Sequence, residues 1–366
     1  MYKIHLGDSA IILRDNYPEN YFYSAVVDPP YLINFLGRKW DHPKNDYRPV
    51  WREAHRTLRP GAYLMAFASP RTYHKIASQI EECGFHIKDM ICWVYGQGFA
   101  KAQDIGRAIQ KQCGVEEYNT LKNYARADTS YEGKNGFQRG AAPQQVKITS
   151  PIAQQWVGWK TGLKPAHEPI VVAQKPTDKN LSIASNILNY GTGGIDIDGN
   201  RVPFESDEDA RVSSLVKSVQ DENDGIDMMA GRHPSNVIGE IEGHQRYFYD
   251  PQYDSEIDFP AYVYCPKVNS EERDAGMADD EENDHPTLKP VSLLRYLTRL
   301  VTPKGGKVLD CFMGSGSQGV ACLLEGYEYY GIELKQYNFE RAEQRLWHWN
   351  VVNRALADIS GSGGAG

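Results

Sequence analysis

Val308-Leu-Asp-Cys-Phe-Met-Gly-Ser-Gly-Ser-Gln-Gly319 has the pattern of a strand, a tight turn and the start of a helix. Its glycines fit Gly-x-Gly-x-x-Gly at Gly314, Gly316 and Gly319, which lets the backbone approach a ligand closely. Glu333 ends the next predicted strand, 19 residues past Gly314, where a carboxylate can accept both ribose hydroxyls. The stretch therefore predicts an adenosine-containing cofactor, and leaves open whether it is a nicotinamide dinucleotide or S-adenosylmethionine.

Strands and helices alternate on both sides of this stretch, which predicts an α/β fold with a mostly parallel sheet. The apolar run Pro169–Ala173 is of the type found in parallel sheets. On the N-terminal side, strands are predicted at residues 2–6, 24–27, 62–67 and 87–95. Helices are predicted at 47–58, 71–83, 291–301 and 318–325.

Four acids stand at the carboxyl ends of predicted strands: Asp8, Asp28, Asp310 and Glu333. If the end of the chain is joined conceptually to its start, these strands follow one another as one half of a doubly wound sheet that has been cut open. Ligands of such sheets bind outside the carboxyl ends of the strands. We therefore expect the four acids and the glycines to line one crevice.

Composition excludes several classes of protein. With 366 residues, 41% of them hydrophobic and 24% charged, the chain can bury a large core, so a collagen, a small disulfide scaffold and a disordered chain are excluded. The sequence has no apolar run of about 18 residues and no signal peptide, so we expect a cytoplasmic protein without a membrane partner. The six cysteines form no Cys-x-x-Cys pair, and we expect no metal.

The net charge of −8 hides a local contrast. Residues 101–175 carry 11 Lys/Arg and 6 Asp/Glu, whereas residues 176–284 carry 8 and 25. The acidity is therefore concentrated in one stretch, and the rest of the chain can offer a cationic surface to nucleic acid. An ordinary solvated loop remains the alternative for the basic stretch. The predicted phosphate contacts are Lys101, Arg107, Lys111, Lys122, Arg126, Lys134, Arg139 and Lys147.

Asp28-Pro29-Pro30-Tyr31 follows a buried predicted strand. Two prolines remove two donors, which leaves the Asp28 side chain and the Pro29 carbonyl as adjacent acceptors. Such a pair suits a donor with two hydrogens, such as the exocyclic amino group of a base, and Tyr31 offers a ring on which the base could stack. The alternative is a rigid turn at the end of a strand, with a solvated carboxylate.

Taken together, these motifs resemble those of the amino DNA methyltransferases, in the order of the beta class. The matching motifs are Asp28–Tyr31, His285-Pro-Thr-Leu-Lys-Pro290 and Asp310–Gly316. The resemblance implies a circularly permuted, Rossmann-like, S-adenosylmethionine-dependent methyltransferase fold with an inserted target-recognition region. Leu163–Pro169 and Gly231–Asn236 also resemble a subgroup common in phages and prophages, for which a restriction-modification role is implied.

The resemblance divides the chain into six parts. They are a first catalytic part (1–100), a basic DNA-contacting loop region (101–160), a core strand (161–176), an inserted target-recognition region (177–259), a cofactor-binding part (260–352) and a flexible tail (353–366). Within the insert, we expect the acidic stretch 205–227 to be a mobile loop.

The resemblance also assigns roles to single residues. Asp28 and the Pro29 carbonyl would orient the target amino group, Pro30 would keep the turn rigid, and Tyr31 would stack on a base flipped out of double-stranded DNA. S-adenosylmethionine would be the cofactor. Its predicted contacts are Asp8 and Ser9 (adenine), Asp28, Thr287, Lys289 (methionine carboxylate), Asp310, Phe312, Gly314, Ser315, Gly316 and Glu333 (ribose). A lysine merely anchored at a helix start is the alternative for Lys289.

The resemblance associates Asp28 with methylation of the N6 amino group of adenine, because cytosine-N4 enzymes usually carry serine at that position. A cytosine-N4 enzyme, or an enzyme acting on RNA or protein, remains the alternative. Carbon-5 methylation is rejected, since it needs a Pro-Cys pair and Cys265-Pro266 has the reverse order. A homodimer is left open.

Overall fold

The computed structural model describes residues 1–34, 37, 39–95, 102–114, 118–120, 144–204, 231–239, 268, 270–277, 283 and 288–362. Several predictions lie outside these residues: those for Lys101, Lys122, Arg126, Lys134, Arg139, Cys265, His285 and Thr287, and for the stretch 205–227. The chain divides into two compact units. The core unit comprises Met1–Gln97 and Ala166–Gly366, and the small unit comprises Gly98–Pro165.

The described part of the core unit contains an eight-stranded sheet. Its strands are β1 (Tyr2–Leu6), β2 (Phe22–Val27), β3 (Leu58–Phe67), β4 (His86–Val94), β7 (His167–Gln174), β8 (Val237–Ile238), β9 (Lys307–Asp310) and β10 (Glu328–Glu333). Its α-helices are α1 (Ser9–Asn16), α2 (Arg48–Thr57), α3 (Tyr73–Glu82), α6 (Ile183–Tyr190), α7 (Ser270–Asp274), α8 (Val291–Val301), α9 (Ser317–Leu324) and α10 (Gln336–Ser362). The small unit contains α4 (Ile105–Gln112), α5 (Pro151–Gln154) and the hairpin of β5 (Tyr118–Thr120) with β6 (Gln144–Val146).

The strand order is β1-β10-β9-β2-β3-β7-β4-β8, and the first five strands are mutually parallel. The C-terminal strands β10 and β9 thus lie between the N-terminal strands β1 and β2. The predicted mostly parallel α/β sheet, cut open along the chain, is confirmed. Because the carboxyl ends of parallel strands meet at one edge, Glu333, Asp310 and Asp28 come together there.

The prediction that Pro169–Ala173 belongs to a parallel pair is wrong. Strand β7 pairs antiparallel with both β3 and β4. Its residues Ile170–Ala173 are buried because β7 lies inside the sheet and is covered on both faces. An apolar run indicates that a strand is buried on both faces, but it does not indicate whether the strand pairs parallel or antiparallel.

Strand β3 begins earlier than predicted. The pair Pro60-Gly61 was expected to precede the strand, but β3 starts at Leu58 and continues through both residues. The pairing with β2 shifts register between Phe22 and Ser24, opposite this point. Such an irregularity accommodates a proline, which has no N–H to donate to the ladder.

Apolar residues fill both faces of the sheet. One cluster joins Leu297 of α8, Val320 of α9 and Leu346 of α10 to the sheet, and the other joins Leu13 of α1 and Trp51 of α2. At the end of β2, Ala25 and Val27 belong to one cluster and Val26 to the other, as the two-residue period of a strand requires. None of the helices in the described ranges has the length and apolarity needed to cross a membrane.

Candidate active site

Asp28, Lys289 and Glu168 form a largely buried ionic cluster at the carboxyl edge of the sheet, in which Asp28 is the most exposed member. Asp28 follows β2, Glu168 lies on β7, and Lys289 lies two residues before α8. The Lys289 Nζ atom is 2.7 Å from Asp28 Oδ2 and 3.5 Å from Glu168 Oε2. Only 5% of the Lys289 side chain is exposed. Its ammonium group is therefore stabilised mainly by the two carboxylates and hardly by water.

Two tyrosines donate hydrogen bonds to Glu168. The Tyr31 hydroxyl donates to Glu168 Oε2 at 2.8 Å, and the Tyr95 hydroxyl donates to Oε1 at 3.4 Å. Lys289 Nζ lies 5.2 Å from the centre of the Tyr31 ring and 5.0 Å from that of Phe67. The ring of Tyr31 is therefore held at both its hydroxyl and its face.

The cluster holds two carboxylates for one ammonium group. Burial raises the pKa of Asp28, and the attraction of Lys289 only partly opposes that shift. Burial acts to lower the pKa of Lys289, but Asp28 and Glu168 prevail and raise it. Burial also raises the pKa of Tyr31, so its hydroxyl stays protonated and able to donate.

The two carboxylate oxygens of Asp28 differ in their hydrogen bonding. Asp28 Oδ1 is buried and has no hydrogen-bond donor among the described residues. A buried acceptor without a partner is rare in folded proteins, because it forfeits the hydrogen bond it had in water. This atom is therefore suited to a hydrogen bond from a bound ligand.

The glycine-rich turn contacts the acid that the sequence pairs with it. The Gly314 N–H donates to Glu333 Oε2 at 2.9 Å, and burial raises the pKa of Glu333. Asp310 accepts from the Phe312 N–H at 3.1 Å and from the Tyr329 hydroxyl at 3.0 Å. Gly314 and Gly316 have φ angles of 55° and 85°, in the left-handed region that favours glycine.

The other predicted cofactor residues lie around this turn. Ser9 Oγ donates to the Cys311 carbonyl at 2.6 Å, which ties the start of α1 to the end of β9. Asp8 caps α1 by accepting from the N–H groups of its first turn. The Phe312 ring packs against Tyr47 and Trp51, with centroid separations of 5.5 Å and 5.4 Å.

Arg345 of α10 is a supporting residue that the sequence interpretation missed. This fully buried guanidinium donates to the Ser315 carbonyl at 2.8 Å and to Ser317 Oγ at 3.2 Å, so it holds the turn from the side of α10. Its position in a helix rich in charged residues carries no signal that distinguishes it.

Glu168 was also missed, although it lies within the quoted stretch Leu163–Pro169. An acidic residue opening an otherwise apolar strand is the signal that could have identified it. Lys289 contacts Asp28 and Glu168, and its predicted role toward a methionine carboxylate stays a prediction.

Three of the predicted DNA contacts lie in the described part of the small unit. Arg107 and Lys111 are on α4, and Lys147 follows β6. Among the described residues, no group of three or more His, Cys, Asp and Glu side chains is arranged to hold a metal ion.

Comparison with known proteins assigns this chain to a family. The family model described as DNA methylase matches residues 24–344. The type II methyltransferase M.HindIII of Haemophilus influenzae is 23% identical over 292 residues, which cover 80% of this chain. The putative methylase YubD of Escherichia coli is 47% identical over 72 residues, or 20% of this chain.

These matches cover only part of the relatives, namely 65% of M.HindIII and 30% of YubD. Among solved structures, the PvuII DNA methyltransferase (cytosine-N4-specific) has a TM-score of 0.49 at 14% identity, covering 98% of this chain and 90% of that one. The family model spans most of the sequence and includes Asp28, Glu168, Lys289 and the glycine-rich turn, and on that ground the chain belongs to the DNA methylase family.

Proposed function

We propose that this protein transfers the methyl group of S-adenosylmethionine to the N6 amino group of adenine in double-stranded DNA. The observation that carries the proposal is the buried, unpartnered Asp28 Oδ1 atom at the carboxyl edge of the sheet, in the residue that precedes Pro29. Among the described residues nothing satisfies this acceptor, and an amino group of a flipped base would do so.

S-adenosylmethionine supplies an electrophilic methyl group. The residues of the glycine-rich turn fit such a cofactor, because Glu333 accepts from Gly314 and a carboxylate oxygen still has acceptor capacity for a ribose hydroxyl. Gly314, Ser315 and Gly316 would admit the ribose and methionine portion. Asp8 and Ser9 would border the adenine, with Asp310 and Phe312 supporting the turn.

Asp28 and Pro29 would orient the attacking nitrogen. These two acceptors would hold the two amino hydrogens and direct the nitrogen lone pair toward the methyl group. The methyl group would then pass from sulfur to nitrogen, with release of S-adenosylhomocysteine and of one amino proton. Lys289 fixes the other oxygen of Asp28, and Glu168 in turn holds Lys289 and Tyr31. The base would stack on Tyr31, which offsets part of the cost of unstacking it from the duplex.

The choice of adenine rests on Asp28. A carboxylate accepts a stronger, charge-assisted hydrogen bond than the serine hydroxyl that cytosine-N4 enzymes usually carry, and draws more electron density toward the attacking nitrogen. Leu163–Pro169 and Gly231–Asn236 extend the proposal to the phage and prophage subgroup, with a restriction-modification role.

The test is transfer of a tritiated methyl group from S-adenosylmethionine to DNA, followed by digestion to nucleosides. The expected product is N6-methyladenine. Detection of N4-methylcytosine without N6-methyladenine would overturn the choice of adenine, but it would leave the proposed methyl transfer to DNA in place. No transfer to any DNA would overturn the proposed activity.

A further inference from the structure

The small unit exposes a pair of tryptophans. Trp156 is 40% exposed and Trp159 is 61% exposed, and their ring centroids lie 5.3 Å apart at an angle of 74°. Their neighbour Val157 is exposed as well. Large apolar side chains that stay exposed on a surface do not gain the free energy of burial. A group of them therefore often marks a binding site.

The backbone beneath the two rings is held by its own hydrogen bonds. The Trp156 N–H donates to the Ala153 carbonyl at 3.1 Å, and the Trp159 N–H donates to the Trp156 carbonyl at 3.2 Å. The Ile105 N–H at the start of α4 donates to the Trp159 carbonyl at 3.0 Å. These bonds form the turn without using either indole ring, so both rings are left to meet a partner.

Charge identifies the kind of partner. Two exposed lysines follow Trp159 in the sequence: Lys160 is the next residue, and Lys164 lies five positions after Trp159. The only acid in the described part of the small unit is Asp104, whose carboxylate accepts from the Arg107 N–H to cap α4. The cations of that part are Arg107, Lys111, Lys147, Lys160 and Lys164.

In the described part of the small unit, exposed aromatic rings that are close in sequence to lysines, with a single acid, match the chemistry of nucleic acid, in which flat bases alternate with phosphates. A lone cationic surface would recognise phosphates only. The two indoles add flat faces that every base can stack on, independent of its sequence.

We propose that Trp156, Trp159, Lys160 and Lys164 form a surface that binds unpaired bases of the DNA substrate by stacking. The proposal rests on the proposed function, because flipping a base out of a duplex leaves unpaired bases to be bound. It adds recognition of bases to the phosphate contacts expected of the small unit.

The test measures binding of a labelled single-stranded DNA of about 20 nucleotides, longer than the roughly 4–16 nucleotides that one small binding fold covers. Trp159→Ala should weaken binding about tenfold, whereas Trp159→Phe should retain most of it, because stacking of one base contributes on the order of tenfold or more. Trp347→Ala is the matched control, since Trp347 is 63% exposed but lies on α10 of the core unit.

The lysines have a separate readout. Lys160→Gln should lower the salt dependence of binding by about 0.7 in the slope of log K against log salt, as for loss of one phosphate contact on a single strand. Lys304→Gln removes an exposed lysine of the core unit and should leave the slope unchanged.

The outcomes separate this proposal from the proposed function. If the wild-type protein methylates DNA and Trp159→Ala binds the single strand as tightly as the wild type, the stacking surface is refuted and the activity stands. A wild-type protein that neither binds nor methylates DNA would refute both.

Discussion

Asp28 presents two oxygens that lie in different environments. Lys289 holds Oδ2 at 2.7 Å, while Oδ1 has no donor among the described residues. An isolated carboxylate could rotate and offer either oxygen. Because Lys289 fixes one of them, the other keeps a constant direction, which is what orientation of an attacking amino group requires.

At this residue we expect Asp28→Ala to abolish methyl transfer while S-adenosylmethionine binding stays within about tenfold of the wild type. The substitution removes the acceptor but leaves the Gly314–Glu333 contact of the turn in place. Isothermal titration with the cofactor and tritium transfer to DNA measure the two effects separately. Full activity of the variant would exclude Asp28 from the chemistry.

Glu168→Gln should move the acid side of the pH–activity profile to lower pH. Glu168 raises the pKa of Asp28 through repulsion between like charges, in addition to the larger effect of burial. An amide keeps an acceptor for the Tyr31 hydroxyl but removes that charge, so the pKa of Asp28 falls and the ionised acceptor persists at lower pH. Glu81→Gln, at an exposed position on α3, is the control. Identical profiles for wild type and Glu168→Gln would show that the cluster does not govern activity.

At the scale of elements, the glycines of Val308–Gly319 have two different roles, one in the turn and one in helix packing. Gly314 and Gly316 supply the left-handed backbone of the turn, whereas Gly319 lies inside α9. A Cβ atom on Gly319 would lie 2.5 Å from Leu346 Cδ2 and 2.7 Å from Tyr329 Cε1. The third glycine therefore permits close packing of α9 against α10 and β10.

Gly319→Ala should accordingly lower the free energy of unfolding by about 1–3 kcal/mol, the usual cost of overpacking a core. Urea denaturation measures it. Gly194→Ala is the matched control, since a Cβ there would meet only Ile187 Cδ1 at 3.9 Å. Equal midpoints for the two variants would contradict the packing role.

The end of β9 should make stability depend on pH. Burial raises the pKa of Asp310 to about 7. The folded state thus holds this proton more tightly than the unfolded state, so the contribution to stability is complete below about pH 4 and is lost as pH rises to about 7. Asp310→Asn cannot titrate. It should reduce the loss of stability across this window by on the order of 4 kcal/mol at most. Melting curves at several pH values measure the difference, and parallel curves for the two proteins would contradict it.

These elements also show what a sequence can reveal. The Gly314–Glu333 contact was predictable because the turn and the following strand are close in sequence, and their spacing carries the signal. The direction of β7 was not predictable, since Ile170–Ala173 are apolar for reasons of burial alone.

At the scale of the whole molecule, the ionic cluster is the least predictable feature. Asp28, Glu168 and Lys289 come from three distant segments, and the sheet alone brings them together. The order of acids at strand ends predicted one shared edge, which placed Asp28 near Asp310. It could not show that an acid from an antiparallel strand would join them.

The strand order predicts the behaviour of a shortened chain. In the described sheet β1 pairs with β10 alone, and β2 lies between β9 and β3. A chain of residues 1–304 lacks β9 and β10, so we expect it to lose cooperative thermal unfolding, with the full-length chain as control. Circular dichroism during heating measures this. A cooperative transition in the shortened chain would show that the N-terminal strands fold without them.

The same arrangement bears on synthesis in the cell. Tyr2 pairs with Tyr329, so β1 leaves the ribosome long before β10, the strand with which it pairs. At about 5–20 residues per second, this delay is on the order of 15–60 s. During that time β1 has no strand partner, and β2 presents an unpaired apolar edge of the kind that promotes aggregation. The nascent chain should therefore depend on chaperones until β9 and β10 emerge.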